Sequence, residues 1–136
     1  MDKFINLCET GKLDEAKIFY ANNPGINISA ENDSAFGWAC TNGHLHIAKW
    51  LLSIAPDINI SATNDIAFRL ACRYGHLDVA KWLLETKPNI NISANYNYAF
   101  RLSCGNGQLK VAKWLLKIKP DINIIDINDY AFKHSF

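Results

Sequence analysis

The chain has no apolar run long enough to cross a membrane. Its apolar clusters are short, such as Trp50-Leu51-Leu52, against the roughly 20 residues that a spanning helix needs. An excess of charge of one sign is also missing. Fourteen Lys and Arg oppose thirteen Asp and Glu, for a net charge of +1, so no global field draws nucleic acid or anionic lipid. The opening residues Met1 to Asn6 carry no apolar core and no small-residue cleavage site, so no secretory leader is predicted and the expected compartment is the cytoplasm or nucleus. There is no His-Glu-x-x-His, no paired-cysteine spacing and no phosphate-binding glycine loop. A non-enzymatic chain with no cofactor, no metal and no small-molecule substrate is expected.

What is present is order at long range. The 136 residues suit one domain, and 49% hydrophobic with 20% charged residues is ordinary for a folded protein. The string Ile-Asn-Ile-Ser-Ala begins at Ile26, Ile58 and Ile90, and an altered copy begins at Ile122, a step of 58 − 26 = 32 each time. Laid on 58–89, residues 26–57 are identical at 20 of 32 positions. The first 25 residues share the frame, with Phe4 matching Phe36, Cys8 matching Cys40, Gly11 matching Gly43 and Pro24 matching Pro56. A single repeat domain over 1–136 follows. It comprises an N-terminal capping partial repeat (1–25), full repeats at 26–57, 58–89 and 90–121, and a C-terminal partial repeat (122–136). The last unit lacks a second helix, so the chain is either finished there or part of a longer array.

Each unit reads as hairpin, helix, turn, helix. In 58–89, the alternation Ile58-Asn59-Ile60 suits a short extended arm. Asn64-Asp65 offers a helix cap, and the first helix runs to about Arg73. Gly75 supplies the left-handed turn. A second helix carries Leu77, Val79, Ala80, Trp82, Leu83 and Leu84, and Pro88 cannot continue it. Helices this short are marginal alone. They must bury their apolar faces against neighbouring repeats, which is the logic of an all-α solenoid.

The stretch from Ala71 to Leu84, Ala-Cys-Arg-Tyr-Gly-His-Leu-Asp-Val-Ala-Lys-Trp-Leu-Leu, resembles the centre of an ankyrin repeat, and 39–52 and 103–116 agree. The Ala-Phe-Arg and Ala-Lys-Trp-Leu-Leu wording looks most like divergent repeats in large DNA viruses of protists. The resemblance implies a curved solenoid that binds proteins through hairpin tips and first helices, with turn residues His44 and His76 tying neighbouring turns together. The family's Thr-Pro-Leu-His opening is replaced by Ser34-Ala35-Phe36-Gly37, Ile66-Ala67-Phe68-Arg69 and Tyr98-Ala99-Phe100-Arg101. Asp33, Asp65, Asn97 and Asp129 are therefore expected to cap the first helices one residue earlier. Trp50, Trp82 and Trp114 stand where the family has leucine and are expected in the core. Ala55, Lys87, Lys119 and Asn23 replace the family's terminal glycine, each before proline.

The repeat-locked residues are weighed against chemistry. Cys8, Cys40, Cys72 and Cys104 fall one repeat apart. Stacked helices lie about 8–10 Å apart, whereas a disulfide needs Cα atoms within about 7 Å and metal ligands must converge. A small apolar residue per repeat is the better reading. Lys49, Lys81 and Lys113 read as a solvated outer stripe, and Arg69, Arg73, Arg101 and Lys133 lie on first helices. At this net charge nucleic-acid binding is not expected.

Positions that vary while the framework repeats mark the expected binding surface. The tips read Glu31-Asn32, Thr63-Asn64 and Asn95-Tyr96, and the next variable position reads Ser34, Ile66, Tyr98 and Tyr130. Arg73, Tyr74, Tyr96, Tyr98, Arg101, Thr63, Asn64 and Ile66 are the candidate partner-binding residues, since Tyr and Arg are enriched in binding hot spots. They place an expected groove on the second and third repeats, facing an acidic or mixed protein surface. The partner is an unidentified protein and the chain itself is expected to be monomeric. The rival reading is a structural, self-assembling repeat protein, with Phe132 and Phe136 as its sticky end.

Overall fold

Among the described residues, eight helices run in four pairs: α1 (Asp2–Glu9) with α2 (Leu13–Asn22), α3 (Ala30–Thr41) with α4 (Leu45–Ile54), α5 (Ala62–Arg73) with α6 (Leu77–Thr86), and α7 (Ala94–Gly105) with α8 (Leu109–Ile118). The computed structural model describes residues 2–122, apart from the side chains of Asp2, Asn32 and residues 94–96. The expectations for Asp129, Tyr130, Phe132, Lys133 and Phe136, and for the Tyr96 side chain, lie outside the described residues. No helix among the described residues is long and apolar enough to cross a membrane.

Each first helix packs on the next, α1 on α3, α3 on α5 and α5 on α7, while each second helix packs mainly on its own partner. The row of first helices is the tighter one, so the array curves with that row on its inner face. The core is one residue set repeated. Phe36 and Phe68, Ala39 and Ala71, Cys40 and Cys72, Ile47, Val79 and Val111, and Leu51, Leu83 and Leu115 are all buried. No repeat could assemble this core alone, because each inner helix covers the apolar face of its neighbour.

Trp50, Trp82 and Trp114 occupy the rim of that core rather than its centre. Each is half-buried and faces the phenylalanine of the repeat before it. The ring centroids are 6.0 Å apart for Phe4–Trp50, 6.1 Å for Phe36–Trp82 and 6.2 Å for Phe68–Trp114. Indoles are amphipathic, and this position lets the ring pack while its edge stays wet.

The turns between helices hold their glycines for two reasons. Gly11 has φ +82°, and a Cβ there would lie 2.7 Å from His44 Cε1 of the next repeat. His44 Nε2 in turn stands 3.0 Å from the Glu9 carbonyl oxygen. The second helices end at the pre-proline residues: Ala55, Lys87 and Lys119 have φ near the extended region, at −136°, −135° and −140°. Proline disfavours helical geometry in the residue before it, so the dipeptide does the work of the missing terminal glycine.

The arms that lead into the first helices differ from expectation. Among the described residues no strand forms there. Instead the Ser29, Ser61 and Ser93 amides each donate to the Asn two residues earlier, Asn27, Asn59 and Asn91 Oδ1, at 3.1 Å. These are Asx turns. A left-handed turn follows, with φ of 55°, 55° and 58° at Thr63, Asn64 and Asp65. Asp33 and Asn97 share it at 62°. Among the described residues the expected caps at Asp33, Asp65 and Asn97 are not made. A capping side chain acts from an extended backbone, which the left-handed residues do not have. Asp33 reaches the next repeat instead, where its Oδ2 accepts the Asn59 amide at 3.2 Å.

Candidate interaction surface

Arg69 shows how the left-handed turn is held. It is 8% exposed. Its Nε donates to the Asn64 carbonyl at 2.9 Å and its Nη2 to the Thr63 carbonyl at 3.0 Å. Its guanidinium lies 4.7 Å from the centre of the Tyr98 ring, and Arg101 lies 5.8 Å from the same ring. Tyr98 is thus half-buried between a guanidinium of its own repeat and one of the repeat before. Beside this cluster, Arg73 lies 5.4 Å from the ring of Tyr74, which is 47% exposed.

One repeat earlier, the same positions hold smaller side chains. Subtracting 32, Arg69 becomes Gly37, Arg73 becomes Thr41 and Tyr98 becomes Ile66. A Cβ built on Gly37 would meet nothing within 4 Å. An open groove of about 280 Å³ results between α3 and α5, lined by Gly37, Trp38, Thr41, Ile66 and Leu70 together with the acidic Glu31 and Asp33. Trp38 is 45% exposed there, a large aromatic surface left in contact with water.

Two family models match the chain: one described as ankyrin repeats (many copies), over residues 68–116, and one described as ankyrin repeat, over residues 31–60. Together they take in more than half of the 136 residues. The chain belongs to the ankyrin-repeat family. Among curated proteins nothing matches it.

The ankyrin frame sorts the candidate residues by what they touch. Thr63 and Asn64 are exposed at their side chains, but their carbonyls are the acceptors of Arg69. Ile66 lines the groove, and so does Thr63. Tyr98 and Arg101 join Arg69 in the guanidinium–ring cluster. Tyr74 and Arg73 stand at the end of α5. Asp33, Gly37 and Trp38 are not among the sequence candidates, and Glu31 is read there only as a variable tip residue. Trp38 shares its register with Leu70 and Leu102, where an apolar residue reads as packing, and a glycine signals no site by itself. The clue available in the chain was the exchange of Arg69 and Arg101 for Gly37 at an otherwise repeated position.

The titratable groups of the ankyrin turns and core are shaped by burial. The Cys8 thiol is pushed up to about 12, and those of Cys40, Cys72 and Cys104 are also raised, in every case by desolvation. They behave as small apolar residues. His76 is lowered, chiefly by desolvation. Asp78 and the Thr41 backbone oppose that shift, while the neighbouring His44 adds to it. Among the described residues no group of three or more His, Cys, Asp or Glu is placed to hold a metal ion.

Proposed function

We propose that this ankyrin-repeat chain is a protein-interaction module that receives its partner along the inner row of first helices and the turns leading into them. Ankyrin repeats are generally protein–protein interaction modules, and the observation that carries the reading here is Trp38. An indole 45% exposed on a groove wall is the kind of rigid, amphipathic anchor around which interfaces concentrate their energy. Tyr74 and Arg73 extend the same inner surface one repeat on. The finer resemblance, to repeats of large DNA viruses of protists, suits a module directed at host proteins and rests on sequence wording alone.

The test is affinity capture from cell extract read by mass spectrometry. The native protein is compared with a variant carrying Trp38→Ala, Arg73→Glu and Tyr74→Ala that circular dichroism shows to be folded. A protein retained by the native bait and lost by the variant is expected. Proteins recovered equally by both would move the binding surface elsewhere. A mass that rises with concentration in light scattering would favour self-assembly.

A further inference from the structure

The chain contains a worked example of what fits its own open groove. In the second repeat, a guanidinium fills the place beneath the left-handed turn, bonded to two turn carbonyls and lying against an aromatic ring. In the first repeat the left-handed turn persists, with φ of 56° at Glu31 and 62° at Asp33, but glycine stands in place of that arginine. The Glu31 carbonyl accepts Ser34 Oγ at 2.5 Å, and a carbonyl oxygen has a second lone pair to offer.

The charge changes in step with the vacancy. Where the second and third repeats carry Thr63 and Asn95, the first carries Glu31, so a carboxylate appears at the turn whose arginine is replaced by glycine. Asp33 lines the same groove. The aromatic partner changes too. Ile66 replaces Tyr98, but Trp38, 45% exposed, brings an indole to the lining of the groove. Arginine joins planar donors, fixed charge and an apolar stem, and stacks on aromatic faces. The acidic lining disfavours phosphate.

We propose that the groove at Gly37 is an arginine socket: an arginine side chain of a partner protein inserts between α3 and α5. It takes the place beneath the 31–33 turn that Arg69 takes beneath 63–65. Glu31 and Asp33 meet the charge, and Trp38, Ile66 and Leu70 hold the stem. The inference rests on the interaction-module reading and names the chemistry of its partner.

The test needs no identified partner. Isotope-labelled protein is titrated with the blocked tripeptide acetyl-Gly-Arg-Gly-amide and with its citrulline and lysine counterparts. The reporters are the Trp38 indole N–H, assigned by its loss in Trp38→Phe, and the Ser34 and Gly37 amides. Saturable shifts confined to this face are expected with arginine, at least about tenfold weaker with citrulline, which lacks the charge. The lysine peptide, without the planar fork, should also bind more weakly. Gly37→Arg should fill the socket from within and abolish the response, with a Tm equal to or above that of the native protein. An equal response to citrulline or lysine, no response to arginine, or an undiminished response in folded Gly37→Arg would overturn the socket. Should that variant not fold, the three-peptide comparison on the native protein decides alone. Capture of a partner through Trp38, Arg73 and Tyr74 without any arginine response would retire the socket and leave the interaction module standing.

Discussion

The ring of Phe36 lies 6.1 Å from that of Trp82, tilted by 50°, across the boundary between one repeat and the next. The offset is 82 − 36 = 46 residues, and it recurs in Phe4–Trp50 and Phe68–Trp114. This pairing couples successive units through side chains that cover each other's apolar surface, and it makes an interface term of the kind on which repeat arrays depend.

Trp82→Ala should therefore destabilise the array by about 3 kcal/mol. Trp82→Phe should recover part of the loss, because an aromatic pair with Phe36 survives. Urea unfolding followed by circular dichroism measures both. A Trp82→Ala midpoint equal to that of the native protein would show that the rim contact contributes nothing.

Gly11 answers to two demands that a pair of substitutions can separate. Its φ of +82° disfavours any side chain, and His44 Cε1 would stand 2.7 Å from a Cβ. The left-handed backbone alone should cost Gly11→Ala about 1–2 kcal/mol, with the clash added to it. Combining Gly11→Ala with His44→Ala removes the clash but not the φ demand. The coupling between the two changes, read from thermal or urea unfolding, should therefore be favourable yet leave a residual loss against His44→Ala alone.

Arg69 is predicted to be structural although its charge marks it for a surface. Arg69→Met leaves the Thr63 and Asn64 carbonyls without their donor and should cost about 2 kcal/mol, typical of a hydrogen bond to a charged group. Arg69→Lys should recover little, since one ammonium cannot reproduce the forked geometry. Equal stability of the lysine variant and the native protein would argue against the two-carbonyl role.

Acid should weaken the fold through His76. Its folded pKa lies below the ordinary value near 6.5, mainly through desolvation. The unfolded chain therefore takes up the proton first, and the neutral imidazole contributes stability that is present above that value and lost as pH falls through it. Urea midpoints at pH 7.5 and pH 5.5 should show a smaller acid-side drop in His76→Gln than in the native protein. Glutamine is a fitting replacement because Gln108 occupies the same place one repeat on.

The sequence by itself determined the solenoid. A 32-residue step, the apolar positions of two short helices, a turn glycine and a closing proline are local or periodic signals. Each acts on the backbone within a few residues of where it is written. It follows that the helix pairs, the left-handed Gly75 and the helix end before Pro88 could be read without coordinates. The tertiary structure decided what those signals left open. Asp33 was expected to cap its own helix, but a left-handed φ turns it to Asn59, 59 − 33 = 26 residues away. Tyr98 and Arg69, both polar-tipped residues on an inner helix, meet only because α5 stacks on α7. The groove at Gly37 exists because three positions on two adjacent helices, Gly37, Thr41 and Ile66, together hold smaller side chains than Arg69, Arg73 and Tyr98 do one repeat on. A vacancy between helices depends on their relative placement, which packing across repeats sets and no single stretch of chain encodes.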